Sequence, residues 1–311
     1  MVINIIGIGE ILWDVFPDEE RFGGAPCNFA CSAAELAKNI VVRSANEHWS
    51  TERGTTLTVH FVGAVGSDAY GDRGRHALQE RGVATNALQT KVAATGRVTV
   101  KLDATGAASY VFDPTSAWDF LSWSAELETL AGQCHAVCFG TLGQRGAQSK
   151  ETIRRFVTQV PRESLRVLDI NLRAPYFDAS LIRESLALAN VLKLNEAELP
   201  VVAGVCNCSG SEREVLVQLA QMFSLHSVSL TKGEAGAILY SGGKWSELPG
   251  QRVQVVDTVG AGDAYTASMV LGLLRGDDVE LINRQAIAVA SYVCTQPGAT
   301  MPFPARLSLH G

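Results

Sequence analysis

Asp257-Thr-Val-Gly-Ala-Gly-Asp263 is the stretch from which the rest of the chain can be read. The valine-rich residues before it, 253–256, read as a strand, and residues 264–274 after it read as a helix. The turn between them brings the backbone N–H groups of Gly260, Ala261 and Gly262, and the carboxylate of Asp263, to a helix amino end. Unpaired N–H groups and the positive end of the helix dipole make such an end an anion site. A carboxylate would be repelled there if holding a phosphate were the only task. It fits a reaction in which Asp263 removes a proton while the N–H groups stabilise charge developing on a phosphoryl group in transit. The plainer alternative is a helix cap, with glycines that permit a tight turn.

Around this stretch the pattern alternates between strand and helix. Short apolar runs at 2–8, 58–65, 136–139, 166–170, 191–194 and 228–230 read as strands. Helical periodicity follows at 28–38, 68–82, 150–160, 181–189, 212–223 and 283–294. This rhythm predicts one α/β unit over 1–311: a mainly parallel central sheet between two helical layers, Rossmann-like, with ligands gathering at the carboxyl ends of the strands.

Two segments break the rhythm. In 96–112, Val98, Val100 and Leu102 alternate with Arg97, Thr99 and Lys101 before the turn Asp103-Ala-Thr-Gly106. That is a β-hairpin outside the parallel sheet, and it can pair with the extended residues 11–16 to make a small flap. A second hairpin turns about Ser241-Gly-Gly243. The polar stretch 44–57 has no usable periodicity and reads as an inserted surface loop.

Composition narrows the chemistry. The chain has 311 residues, 47% hydrophobic and 19% charged, with a formal net charge of -6 and no basic run. Nucleic acid and anionic membranes are therefore poor partners. The N-terminal residues read as a first strand, with neither a basic n-region nor a cleavage site, and no apolar run approaches a membrane span. The 7 cysteines have no CxxC spacing, so free thiols in a reducing cytoplasm are expected in place of disulfides or zinc. The 6 histidines form no ligand or triad pattern. Gly7-Ile-Gly9-Glu10 begins like a dinucleotide fingerprint, but Leu12 stands where the third glycine belongs. No P-loop, G-x-S-x-G or HExxH motif is present. The phosphate site must then be the turn at Gly260-Ala-Gly262. Upstream, Gly23-Gly-Ala-Pro-Cys-Asn28 opens a helix; its glycines allow close approach of backbone to a ligand, and Asn28 can donate to and accept from a sugar hydroxyl.

Together, Asp257-Thr-Val-Gly-Ala-Gly-Asp263 and Gly23-Gly-Ala-Pro-Cys-Asn28 resemble the two signatures of the ribokinase-like (PfkB) carbohydrate kinases. The resemblance spans nearly the whole chain. Glu10-Ile-Leu-Trp-Asp14 and Asp169-Ile-Asn-Leu-Arg173 further resemble the bacterial fructokinase branch. It implies a ribokinase-like fold whose lid, about 10–25 and 93–113, closes over the sugar and excludes water. Asp263 would be the base that activates a primary sugar hydroxyl against the γ-phosphorus of ATP, with Gly260, Ala261 and Gly262 as the anion hole. Asp14, Gly23, Gly24 and Asn28 would hold the sugar, and the cations Arg97 and Arg173 would serve an acidic acceptor or the phosphates. Asn195, Thr231, Gly233 and Gly236 would line the nucleotide, with Ala286 and Ala290 as the adenine wall. Glu198 would act on Mg2+ through waters. Asp257 matches the place where many relatives carry a monovalent cation such as K+.

The resemblance also implies a homodimer joined through the lids. Fructose is the expected acceptor; 2-keto-3-deoxygluconate, ribose and aminoimidazole riboside are alternatives within the fold. A sugar- or nucleotide-responsive binding protein that has lost catalysis is the alternative from another class, and the presence of Asp263, Asn195 and Glu198 argues against it.

Overall fold

The computed structural model describes residues 2–38, 56–102, 108–304 and 307. The chain runs β1 (Val2–Ile8), β2 (Leu12–Val15), β3 (Glu20–Gly23), α1 (Ala25–Ala37), β4 (Thr56–Gly66), α2 (Ala69–Glu80), β5 (Leu88–Lys91), β6 (Gly96–Leu102), β7 (Ala108–Phe112), α3 (Ala125–Gly132), β8 (Cys134–Phe139), α4 (Ala147–Gln159), β9 (Leu165–Asp169), α5 (Ala179–Leu188), β10 (Val191–Asn195), α6 (Leu199–Cys206), α7 (Glu212–Met222), β11 (Ser227–Thr231), β12 (Ala237–Ser241), β13 (Lys244–Leu248), α8 (Ala261–Arg275) and α9 (Val279–Cys294).

Every residue of β1 except Val2 is buried, as a strand covered on both faces requires. Its alternation divides the core. Ile3 and Ile5 join the cluster that includes α1, α8 and α9, while Ile6 and Ile8 join the cluster beneath α3, α4, α5, α6 and α7. Between these layers lies a nine-stranded sheet in the order β13-β12-β11-β10-β9-β8-β1-β4-β5. It is parallel from β5 to β11, and β12 and β13 add an antiparallel edge. The arrangement is the expected three-layer α/β/α one with a mainly parallel central sheet.

The flap is a separate four-stranded sheet, β3-β2-β6-β7. The hairpin β6–β7 does pair with the segment after Glu10: Asp14 lies opposite Val98 in the parallel β2–β6 pair and opposite Arg21 in the antiparallel β2–β3 pair. Leu12, Val98 and Trp118 form the buried seam beneath one face. Trp13, on the other face, packs against Phe22 and Tyr70.

Some expectations need correcting. Residues 253–256 form no strand; Val255 and Val256 are 60% and 61% exposed, in the loop between β13 and α8. Their apolar character serves no sheet. The helix after the turn starts at Ala261, so Asp263 lies within its first turn, and the N-cap position belongs to Gly260 at φ 80. The capping alternative for Asp263 therefore fails. Helices α3 and α6 were not anticipated, and both are only eight residues long. Within the supposed insertion 44–57, Thr56 and Leu57 open β4, and 44–55 lies outside the described residues, as does the hairpin turn at 103–106.

Candidate active site

The two glycine-bearing turns meet. Gly24, at φ 113, must be glycine because a Cβ there would stand 2.6 Å from the Glu10 carbonyl oxygen. This close approach starts α1 so that Asn28, in its first turn, faces the amino end of α8. Asn28 Nδ2 donates to Asp263 Oδ2 at 2.8 Å, across 235 residues of sequence. The second amide atom, Asn28 Oδ1, is buried without a partner among the described residues.

Asp263 sits in a recess that is partly open. Desolvation, then the nearby charge of Asp169, push its carboxyl up to about 7, against the opposing pull of Lys193, Asn28 and Arg173. Beneath it lies a buried ion pair. Lys193 Nζ donates to Asp169 Oδ1 at 3.0 Å, and Asp169 Oδ2 accepts from Thr266 Oγ1 at 2.8 Å. Burial opposes the Lys193 charge, but Asp169, Glu198 and Asp263 more than offset it and hold its ammonium above the usual lysine range. A Cβ on Gly262 would stand 2.9 Å from Lys193 Nζ, so this cation lies directly under the turn.

Gly260 and Gly262 present N–H groups at a helix start, where no intrahelical partner exists. The Ala261 N–H instead reaches the Thr258 carbonyl at 3.3 Å. The anion hole thus has two expected donors free of the turn, and its third is weakly engaged.

The small sheet brings Asp14 to the same place. Gly23 lies against it, where an added Cβ would be 3.4 Å from Asp14 Oδ2. Desolvation pushes Asp14 up to about 6 despite Arg173 and Arg21 nearby. Arg173 is exposed and makes no ion pair among the described residues; Nη1 donates to the Leu172 carbonyl at 3.0 Å. Arg97 does not join them. It pairs with Asp113 and lies 5.9 Å from the Tyr70 ring, on the Trp13 face of the sheet, because neighbouring strand residues point to opposite faces.

On the other side of α8 is a cavity of about 1130 Å³. Lys193, Asn195, Thr231, Gly233, Gly236, Thr258, Ala261 and Gly262 line the end near the turn, and Ile287, Ala290, Ser291 and Cys294 form a wall at helical spacing. Ala286, expected in that wall, is fully buried against the core. Gly236 is glycine because a Cβ would stand 2.0 Å from the Leu248 carbonyl oxygen.

Asn195 and Glu198 form a closed local motif. Glu198 is buried; Oε1 accepts from Leu172 N at 2.9 Å and Oε2 from Asn195 N at 2.8 Å, while Asn195 Oδ1 accepts from the N–H groups of Ala197 and Glu198. The carboxylate thereby ties the loop bearing Arg173 to the end of β10.

Sequence reading missed Glu10, Lys193, Asp169 as a partner, and Arg21. Glu10 is 2% exposed, and burial pushes its carboxyl up to about 7. An ionisable residue inside an apolar strand or near its end is the available signal: Lys193 in Val191-Leu-Lys-Leu-Asn195, and Glu10 two residues after β1.

The chain matches the pfkB family carbohydrate kinase profile over residues 9–306. It is 29% identical to a fructokinase of Klebsiella pneumoniae over 279 residues, 86% of this chain and 83% of that protein. Among solved structures, fructokinase from Xylella fastidiosa with bound ATP superposes with a TM-score of 0.81 at 24% identity, covering 98% of this chain and 97% of that one. Fructokinase from Vibrio cholerae with fructose, ADP and calcium gives a TM-score of 0.78 at 21% identity, covering 99% of both.

Proposed function

Because the chain belongs to the pfkB family of carbohydrate kinases, we propose that it transfers the γ-phosphoryl group of ATP to the primary hydroxyl of fructose, with Asp263 as base. The observation that supports this reading is the Asn28–Asp263 hydrogen bond of 2.8 Å, which joins the helix start after Gly23-Gly24 to the helix start after Gly260. Fructose as the acceptor is supported by the fructokinase relatives.

A carboxyl near 7 is well suited to take a proton at neutral pH. Asp263 accepts it from the attacking hydroxyl as that oxygen approaches phosphorus. Backbone N–H groups of Gly260 and Gly262, aided by the Lys193 ammonium below, stabilise the charge on the transferring group. Asp14 and Asn28 orient the sugar, and Arg173 balances phosphate charge. The cavity beyond α8 takes the nucleotide, with Thr231, Gly233 and Gly236 beside its phosphates or ribose and Ala290 beside its base. The small sheet acts as a lid that keeps water from the phosphoryl group.

Mg2+ would arrive on the nucleotide phosphates and shield their charge. The described residues contain no group of three or more His, Cys, Asp or Glu able to hold a metal, and both Glu198 oxygens already accept backbone N–H groups. Glu198 therefore fits only a water-mediated, outer contact. A homodimer joined through the lids is part of this reading. No helix among the described residues is long and apolar enough to cross a membrane.

The test is a panel of fructose, ribose, 2-keto-3-deoxygluconate and aminoimidazole riboside, followed by ADP release. Fructose should give the highest kcat/KM. Strong turnover of the keto acid with none of fructose would reject fructose and assign Arg173 to the acceptor's carboxylate.

A further inference from the structure

Asp257 is where the family resemblance places a monovalent cation, yet three of its roughly four acceptor positions are already taken. Oδ2 accepts from Arg21 Nη1 at 2.6 Å and from Gly298 N at 3.1 Å, and Oδ1 accepts from Val259 N at 3.0 Å. A cation bound there would have a single acceptor position left on Oδ1 and would stand against a guanidinium of its own sign, 2.6 Å from Oδ2. The residues present do not fit K+.

We propose that Arg21 is a positioning residue that takes the place of this cation, clasping the lid to the turn that carries the anion hole. Its aim is fixed. Nη2 donates to Glu19 Oε1 at 2.5 Å, and the guanidinium lies 4.8 Å from the Phe16 ring. From β3 it reaches Asp257, which is only 14% exposed. Asp257 in turn holds Val259, the residue before Gly260, and Gly298, the residue before Ala299. Ala299 packs directly on Gly260: a Cβ there would lie 2.6 Å from the Ala299 Cβ. The anion hole is thus braced by an aspartate whose counter-ion belongs to the lid. Without Arg21, Asp257 would be an unbalanced negative charge beside the site where phosphates must settle. Because Arg21 lies opposite Asp14 in the β2–β3 pair, the strand that carries the clasp also borders the proposed sugar pocket. The assembled hole then depends on a lid in place, and no external ion is needed.

This inference rests on the phosphoryl-transfer reading, so one arm of its test does not use catalysis. Thermal melting of the ligand-free protein is compared in potassium chloride and in choline chloride at equal ionic strength, for the wild type, Arg21→Gln and Arg21→Lys. The wild type and Arg21→Lys should show no potassium-specific shift, and Arg21→Gln should gain one. In the second arm, kcat on the best sugar should change less than about twofold between the two salts for the wild type, fall about tenfold or more in Arg21→Gln in choline, and recover in part with potassium or with lysine at the position. A potassium-specific shift in the wild type, or an Arg21→Gln protein whose melting ignores potassium, overturns the proposal. Failure of every sugar in the panel would leave the melting arm intact and count against the proposed function alone.

Discussion

The two halves of the site are made in opposite ways. The phosphoryl half stands on the main sheet and α8: backbone N–H groups at a helix start, a buried lysine paired with Asp169, and a left-handed Gly260 packed against the Ala299 backbone. The proposed sugar half is shared between Asn28 on α1 and a four-stranded sheet whose charged groups mostly pair at its surface, such as Arg97 with Asp113 and Arg73 with Glu20. One half is preorganised by burial. The other is held by contacts that cost little to break and so suit a part that must open. The contrast has direct consequences, since disturbing the first half should damage chemistry and disturbing the second should mainly change binding.

The largest expected effect is at Asp263. Asp263→Asn keeps an acceptor for Asn28 but removes the base, so kcat should fall by roughly 10²–10⁴-fold while sugar affinity, measured by calorimetry, changes less than about threefold. Loss of sugar binding equal to the loss of turnover would mean that the two halves are not separable at this residue.

Next comes the buried pair. Lys193→Met leaves Asp169 and Asp263 facing each other without a cation. Removing one partner of a buried pair typically costs about 3–5 kcal/mol. Urea denaturation should show that loss at pH 8 and a smaller one at pH 5, where the carboxyls can protonate. The acidic limb of kcat/KM should also move to higher pH, because Lys193 is what holds the Asp263 carboxyl down.

How much of this was legible depends on how each part is encoded. The phosphoryl turn is local: seven consecutive residues specify a left-handed glycine, a helix start and a carboxylate, and they can be read without knowing the fold. The strand-and-helix rhythm is local as well, which is why the sheet class was predictable. Pairings across the chain are not. Nothing near Arg21 in sequence announces Asp257, and nothing near Lys193 announces Asp169. The misreading of 253–256 has the same root. A valine-rich run reads as a strand because apolar residues usually serve a core, whereas Val253 and Val255 line the cavity beyond α8. Ala286 and Ala290 were equivalent as sequence; four positions apart on α9, one faces the core and the other the cavity.

Protonation offers a smaller and subtler probe of the buried half. Glu10 and Asp263 are pushed up to about 7, and Asp14 to about 6, from ordinary values of 4.5, 3.8 and 3.8. The native protein therefore binds more protons than the unfolded chain between about pH 4 and pH 7. By linkage, their contribution to stability is fully present below the unfolded values and is lost as pH rises through the native ones. In the absence of ligands, Asp263→Asn should remove part of that loss: its stability by urea denaturation should decline less from pH 5 to pH 8 than the wild type's, by about 1–3 kcal/mol. A parallel decline in the two proteins would show that Asp263 titrates normally and that its recess is wetter than its packing suggests.

The smallest effect tests the lid's two faces. Arg97 and Asp14 are one strand apart in the same sheet, yet Asp14 lies beside Gly23 while Arg97 faces Tyr70 and Asp113. An exposed ion pair of this kind is worth only about 0.2–1 kcal/mol. Arg97→Ala should lower stability within that range and leave kcat/KM within about threefold on every sugar of the panel, whereas Asp14→Asn should raise the sugar KM by about tenfold or more at similar kcat. The pair of variants is decisive because one residue's step along a strand reverses its face. If Arg97→Ala instead reproduced the KM defect of Asp14→Asn, the sheet would have to present its other face to the sugar during turnover. The lid would then rearrange its register or its packing on α2 when it closes.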